Sequence, residues 1–158
     1  MAYIKNLENN LSIEISFKRD EMFDYNPQRD DYENWIPFIL CLTLPGKCSV
    51  IDEDANATMT VYEIKNLING IEEVLEKLNT PNNYTYEFYS SEGFFGLELE
   101  TIPEDNVIEV ELWINTGSQT KGEVYGYDEG VRFVSDEKGL NDFLVGIKQE
   151  MFWSEEEI

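Results

Sequence analysis

The chain of 158 residues contains no histidine and few basic residues. Without histidine, Ser-His and Cys-His catalysis are excluded, and no imidazole is present to bind a metal. Lysine and arginine number 11 against 33 aspartates and glutamates, which gives a formal net charge of −22. A negative field of this size excludes binding to nucleic-acid phosphates and disfavours anionic membrane surfaces. The charge instead predicts a basic protein partner, and no cofactor is expected.

Long apolar segments and cysteines are also scarce. The longest apolar run, 36–44, is too short to cross a bilayer, which takes about 20 residues. The first residues lack the basic start and apolar core of a signal peptide, so we expect a cytoplasmic protein. Cys41 lies inside the apolar run and is expected in the core. A disulfide between Cys41 and Cys48 across a hairpin would need an oxidising compartment.

The segments that are present alternate between apolar and polar residues, as antiparallel strands with one buried face do. We expect a single domain over residues 1–158, with an acidic loop at 18–34 and an acidic tail at 154–158. The predicted strands are 11–17, 35–44, 48–57, 84–89, 94–101, 107–115 and, as one long strand or two short ones, about 122–134.

Two helices complete the pattern. Thr60 and Glu63 form a capping box, and an apolar stripe at three- and four-residue steps follows them, which predicts a helix over 60–79. Asp136 opens a second helix with one apolar face. The order β-β-β-α-β-β-β-β-α therefore predicts an α+β fold, in which an antiparallel sheet of about six or seven strands carries two helices.

Glutamates alternate with the core residues in three predicted strands. If these strands are neighbours, the face away from the helices carries carboxylates and aromatic rings together. Like charges side by side on a sheet destabilise it by up to roughly 1 kcal/mol per pair. The predicted partner-binding residues of this face are Glu87, Tyr89, Phe94, Glu98, Glu100, Glu109, Glu111 and Trp113.

Two interpretations of this face stay open. It is either a solvated surface that keeps the protein soluble, or a protein-binding face. In the second case the aromatic side chains make the desolvated contact and the carboxylates steer a basic partner. The polar stretch 20–33 has the same acidic and aromatic composition and either extends this surface or is a plain loop.

The segment from Asp52 to Glu63 places oxygen-bearing side chains at the spacing of a calcium-binding loop. Ala57 stands where that loop needs glycine, and a strand precedes the segment instead of a helix. An acidic loop leading into a helix N-cap is therefore the preferred interpretation. Paired carboxylates at glycosidase spacing arise by chance in so acidic a chain, and no glycine-rich phosphate loop is present. We expect no enzymatic activity.

The chain resembles the WapI-type immunity proteins of bacterial polymorphic toxin systems. The resembling parts are Trp35 before an apolar strand, the helix containing Glu63, the meander with residues 98–100, and the closing helix with Leu140 and Phe143. The resemblance implies a non-catalytic protein that binds and neutralises a cognate toxin, often a basic nuclease. The alternatives are an acidic nucleic-acid mimic that inhibits DNA-binding proteins, and a structural or regulatory domain.

Overall fold

The structure, a computed structural model, describes residues 1–115, 117, 123 and 128–151. Within these ranges the chain forms nine strands in two antiparallel sheets, two α-helices and two short 3-10 helices. The strands are β1 Ala2–Lys5, β2 Ser12–Phe17, β3 Trp35–Leu44, β4 Lys47–Ile51, β5 Thr58–Thr60, β6 Thr85–Tyr89, β7 Phe95–Ile102, β8 Val107–Asn115 and β9 Asp128–Asp136. The α-helices are α1 Val61–Lys77 and α2 Glu137–Glu150, and the 3-10 helices span Asp31–Glu33 and Glu53–Ala55.

The predicted α+β class is confirmed, and the predicted order of elements matches approximately. The structure adds two short strands, β1 and β5, and divides the strands between two sheets instead of one. The predicted strand 48–57 ends at Ile51, because the chain then turns into a 3-10 helix. Part of the strand predicted at 122–134 is β9, whereas residues 122, 124–127 and the tail 154–158 lie outside the described residues.

The first sheet has the order β1-β2-β3-β4, and β5 pairs with the beginning of β3. Because side chains alternate along a strand, Phe38, Leu40 and Leu42 of β3 face the core. Cys41 falls on the opposite face, where it is half-buried beside the exposed Cys48. The expectation that Cys41 packs in the core is therefore wrong.

The second sheet is a meander with the order β6-β7-β8-β9. Its buried face consists of apolar side chains from all four strands, and the same core cluster includes residues of the first sheet and of both helices. Aromatic rings make part of this junction, since the Phe95 centroid lies 5.6 Å from Phe38 and 5.5 Å from Phe88. The two sheets therefore bury their apolar faces in one continuous core.

The capping box at the beginning of α1 is present as predicted. The Thr60 hydroxyl accepts from the Glu63 amide at 3.1 Å, and Glu63 Oε2 accepts from the Thr60 amide at 2.7 Å. Glu63 is buried, and its Oε1 accepts from the Ser91 amide at 2.6 Å. A single carboxylate therefore ties the start of α1 to the turn that leads into β7. At α2 the Asp136 side chain caps the helix by accepting from the Gly139 amide at 2.7 Å.

The acidic stretch 18–34 is organised around Arg29. Its guanidinium donates to both carboxylate oxygens of Asp24, at 2.7 and 3.1 Å, and this interaction lowers the pKa of Asp24. Lys65 of α1 pairs with Asp31 at 2.8 Å. The stretch therefore packs beside α1, the helix that contacts the buried face of the second sheet.

The contact between α1 and β6 depends on a glycine. Gly70 is buried in the middle of α1, and a β-carbon at this position would overlap the ring of Tyr86. The Tyr86 hydroxyl donates to the Asn66 carbonyl at 3.0 Å, and burial raises the pKa of this tyrosine to about 12. Glycine is disfavoured inside a helix by about 1 kcal/mol relative to alanine, and here it makes room for the ring.

We predict that Gly70→Ala lowers the free energy of unfolding by about 1–3 kcal/mol, because the new methyl group must displace the Tyr86 ring. The change should be measured by urea denaturation. Asn69→Ala is the matched control, because this exposed position of the same helix gains helix propensity without a clash. In a Tyr86→Ala background, Gly70→Ala should cost nothing or stabilise; an unchanged cost there would contradict the steric explanation.

Candidate protein-binding face

The register of the second sheet arranges its outward side chains in rows that cross the strands. One row is Glu87, Glu98, Glu111 and Arg132, a second is Thr85, Glu100, Glu109 and Val134, and a third is Tyr89, Gly96, Trp113 and Gly130. We call this outward side of β6–β9 the acidic face. It carries five glutamates, and within these four strands Arg132 is the one basic side chain.

The glutamate pairs lie directly opposite each other on neighbouring strands. Glu98 is the central carboxylate, with Glu87 on one side and Glu111 on the other. Burial raises the pKa of Glu98, and the charges of Glu111, Glu87 and Glu100 raise it further. The surroundings that raise this pKa, burial first and then the three neighbouring carboxylates, disfavour the ionised form of Glu98.

Arg132 partly neutralises this cluster. Its guanidinium donates to Glu111 Oε2 from Nε at 3.1 Å and from Nη2 at 2.9 Å, and it lies 3.4 Å from Glu109 Oε1. The Trp113 indole N–H donates to Glu111 Oε1 at 2.6 Å. These hydrogen bonds, that of Trp113 first, lower the pKa of Glu111. Glu111 therefore has its charge satisfied within the protein, whereas Glu98 does not.

The two exposed aromatic side chains of the face lie flat over glycines of the adjacent strands. A β-carbon on Gly96 would come within 2.7 Å of the Tyr89 ring, and one on Gly130 would overlap the Trp113 ring. Tyr89 nevertheless remains 65 % exposed and Trp113 43 % exposed. Each ring therefore packs against the backbone of a neighbouring strand on one side and is exposed to solvent on the other.

The structure brings together seven of the eight residues that the sequence singled out for this face. Phe94 is the exception. It precedes β7, is half-buried, and its ring packs edge-on against Phe38 with centroids 6.3 Å apart. It therefore belongs to the junction between the sheets and is not on the acidic face. Whether the other seven residues bind a partner stays a prediction.

Sequence reasoning missed Arg132, Gly96 and Gly130. Each of these residues contacts a side chain on the neighbouring strand. The sequence of a single strand does not show which residues of the next strand it pairs with. Gly96 and Gly130 interrupt strands that are otherwise rich in β-formers, and this interruption is the one signal that was available.

The segment Asp52–Glu63 does not have the form of a calcium loop between helices. It runs from a 3-10 helix through β5 into α1. The Thr58 hydroxyl donates to Glu92, and the carboxylate of Glu63 is occupied by the amides of Thr60 and Ser91. Across the described part of the chain, no group of three or more acidic or cysteine side chains is placed to hold a metal ion.

The fold and this surface define a small α+β protein in which two antiparallel sheets and two helices display a carboxylate-rich sheet face. The chain belongs to the immunity protein WapI-like family, which it matches over residues 3–153. This membership implies an immunity function. Neither described helix has the length and hydropathy of a membrane span.

The similarity of the chain to curated proteins and to solved structures is low. No curated protein matches the chain. A solved structure of the plant transcriptional regulator PBF-2 is similar with a TM-score of 0.43 and 10 % identity, over 92 % of this chain and 76 % of that one. A DUF155-family protein of unknown function from Prochlorococcus sp. NATL2A has a TM-score of 0.37 and 12 % identity, over 94 % and 98 % of the two chains.

We predict that Glu98→Gln stabilises the protein near pH 7 by up to about 1 kcal/mol, because it removes one charge from the glutamate row. The folded-state pKa of Glu98 is raised, so its destabilising effect is full above that pKa, decreases as the pH falls below it, and is absent below the unfolded-state pKa. The gain should therefore shrink in acid. Urea denaturation of both proteins across the acidic range measures it.

Two variants control this experiment. Glu104→Gln, in the exposed turn between β7 and β8, should change stability little. Glu111→Gln should destabilise the protein at neutral pH and lose this effect in acid, because its folded-state pKa is lowered. If Glu98→Gln and Glu111→Gln had effects of the same sign at pH 7, the contrast drawn between the two carboxylates would be wrong.

Proposed function

We propose that this protein is a non-catalytic immunity protein that binds a basic toxin, a nuclease, through the acidic face and blocks it. Family membership supports the binding of a toxin partner. The binding site is assigned to the acidic face because its glutamates lie side by side on neighbouring strands. They form one row of Glu87, Glu98 and Glu111, next to the pair of Glu100 and Glu109.

Electrostatics support a positively charged partner. The five carboxylates face one another across the strands with Arg132 as their internal counter-charge. Such an arrangement destabilises the free protein and is relieved when cations of a partner approach. A field of one sign also steers an oppositely charged protein toward the face and accelerates association.

The nuclease part of the proposal follows from charge complementarity. A nuclease binds the phosphates of its substrate through lysine and arginine, so its functional surface is positive. A chain with a net charge of −22 and a compact carboxylate cluster is suited to that surface. Occupying it would exclude nucleic acid from the enzyme.

The aromatic side chains supply the second half of the interaction. Trp113 and Tyr89 are already ordered against Gly130 and Gly96, so little side-chain entropy is lost when a partner covers them. Tryptophan and tyrosine are enriched among the residues that dominate binding energy at interfaces. We therefore expect the aromatic rings to govern the dissociation rate of the complex and the carboxylates to govern its association rate.

The selectivity of binding distinguishes the proposed immunity protein from the alternative, an acidic nucleic-acid mimic. A mimic would bind many unrelated DNA-binding proteins, whereas an immunity protein binds its cognate toxin. Arg132 places a positive charge at the end of the glutamate row, which disfavours imitation of a continuous phosphate backbone. Binding to a panel of unrelated DNA-binding proteins would support the mimic instead.

We predict that this protein forms a complex with the product of the gene adjacent to its own, and that this product is toxic unless the two are co-expressed. The association rate should fall steeply as salt is raised, because counter-ions screen the steering field. Surface plasmon resonance over a salt series measures this dependence. An association rate that does not change with salt would exclude steering, and failure to form any complex would overturn the proposed function.

Reversing the charge of one glutamate tests whether the acidic face is the source of the electrostatic steering. Glu87 is exposed, and unlike Glu109 and Glu111 it is not paired with Arg132. Glu87→Lys should therefore lower the association rate at low salt by about three- to tenfold. Glu76→Lys, on the exposed side of α1, changes the net charge equally and is the matched control. Equal effects of the two variants would show that net charge acts and the face does not.

Trp113→Ala is predicted to raise the dissociation rate of the complex by at least about tenfold and to change the association rate little. Trp113→Phe keeps an aromatic ring over Gly130 and should retain most of the residence time. Because the alanine variant also loses the hydrogen bond to Glu111, its stability should be checked by thermal unfolding. An effect confined to the association rate would refute this division of roles.

A further inference from the structure

Two thiols lie in contact on the outer face of the first sheet. The Sγ atoms of Cys41 and Cys48 are 3.3 Å apart, and both cysteines are free. Cys48 is paired with Thr43 and Cys41 with Val50, so the cysteines are diagonal neighbours on one face of the β3–β4 hairpin. This placement is independent of the acidic face, which belongs to the other sheet.

The two thiols differ in accessibility. Cys48 is exposed, whereas Cys41 is half-buried. Burial raises the pKa of the Cys41 thiol, and the hydrogen bond with the Thr43 hydroxyl at 3.5 Å opposes this effect. The thiolate is the reactive form, and an attacking reagent needs access to it. Cys48 is therefore the first cysteine to react, and Cys41 is placed to react with the product.

We propose that Cys41 and Cys48 form a dithiol site that reacts with low-molecular-weight disulfides and closes to a disulfide across the β3–β4 hairpin. The Cys48 thiolate attacks one sulfur of the reagent, whose S–S bond breaks and releases one thiol. Cys41 then loses its proton and attacks Cys48 Sγ, which expels the second half of the reagent as a thiol. Two protein thiols are oxidised and one external disulfide is reduced to two thiols.

The geometry favours the second step over a lasting adduct. A disulfide bond is about 2.0 Å long, so the two sulfurs need to approach by roughly 1.3 Å from their present separation. Both cysteines lie in paired strands, which keep the sulfurs on the same face. Cys41 is thus an intramolecular nucleophile held next to any adduct that forms on Cys48.

The surrounding charge selects the reagent. Glu14 of β2 is paired with Cys41, and the chain as a whole carries a charge of −22. A cationic disulfide such as cystamine is attracted to this surface, whereas the anionic disulfide of glutathione is repelled. Cystamine should react faster, and the difference between the two reagents should decrease as salt is added.

The test treats the folded, reduced chain with cystamine at about pH 8, near the thiol pKa, stops the reaction with acid, and measures intact mass. The wild-type protein should lose two hydrogen atoms and retain no cysteamine. Cys41→Ser should accumulate a single cysteamine adduct on Cys48, because the second nucleophile is missing. Cys48→Ser should react at least about tenfold more slowly, because the remaining thiol is half-buried and burial raises its pKa.

Three outcomes overturn the proposal. A wild-type product that keeps one or two cysteamine groups shows that the thiols react separately. Equal rates for Cys41→Ser and Cys48→Ser show that the order of attack is wrong, and unfolding in urea, which exposes both thiols, should produce this equality as a control. A faster reaction with oxidised glutathione than with cystamine would contradict the role assigned to the surrounding charge.

Discussion

The two-residue alternation of side chains along a β-strand is the constraint on which both the core and the acidic face depend. Val110 and Leu112 of β8 point into the core between the sheets and the helices, so Glu109 and Glu111 must point the other way. The antiparallel register then sets the glutamates of three strands opposite one another. Burial of the apolar side chains thus decides which side of the sheet the glutamates occupy, and the register places them next to one another.

Counter-charges and hydrogen bonds within the protein offset part of the repulsion between the carboxylates of the acidic face. Arg132 supplies a counter-charge to Glu109 and Glu111, and the Trp113 indole supplies a further donor to Glu111. The glycines opposite the aromatic rings let those rings lie against the sheet. These contacts fix the geometry of the face, while burial and the neighbouring glutamates raise the pKa of Glu98.

The sheet that carries the acidic face is attached to the rest of the molecule at several points. Phe38 of the first sheet packs against Phe95 of the second, and the buried carboxylate of Glu63 links α1 to the turn before β7. The oxygens of this buried side chain are satisfied because backbone amides donate to them from more than one element. The opposite side of the first sheet, with its pair of thiols, carries a different chemistry from the acidic face.

The sequence by itself determined the elements whose signals are local. The capping box of Thr60 and Glu63, the apolar stripe of α1 and the alternation in β6–β8 each depend on residues a few positions apart, and all are present. Tertiary structure decided what depends on strand pairing. Phe94 precedes β7 at a turn, where the alternation of the strand does not apply, so its ring enters the junction between the sheets.

The short strands β1 and β5 exist because longer strands beside them supply their hydrogen-bond partners, and a few residues alone carry too little pattern to predict a strand. Arg132 meets Glu111 and Cys41 meets Cys48 because strand register and sheet face bring them together. These contacts join residues that are distant in the chain or diagonal to each other across a hairpin. Sequence periodicity specifies which side of a strand a residue takes, and only the assembled sheets specify what it meets there.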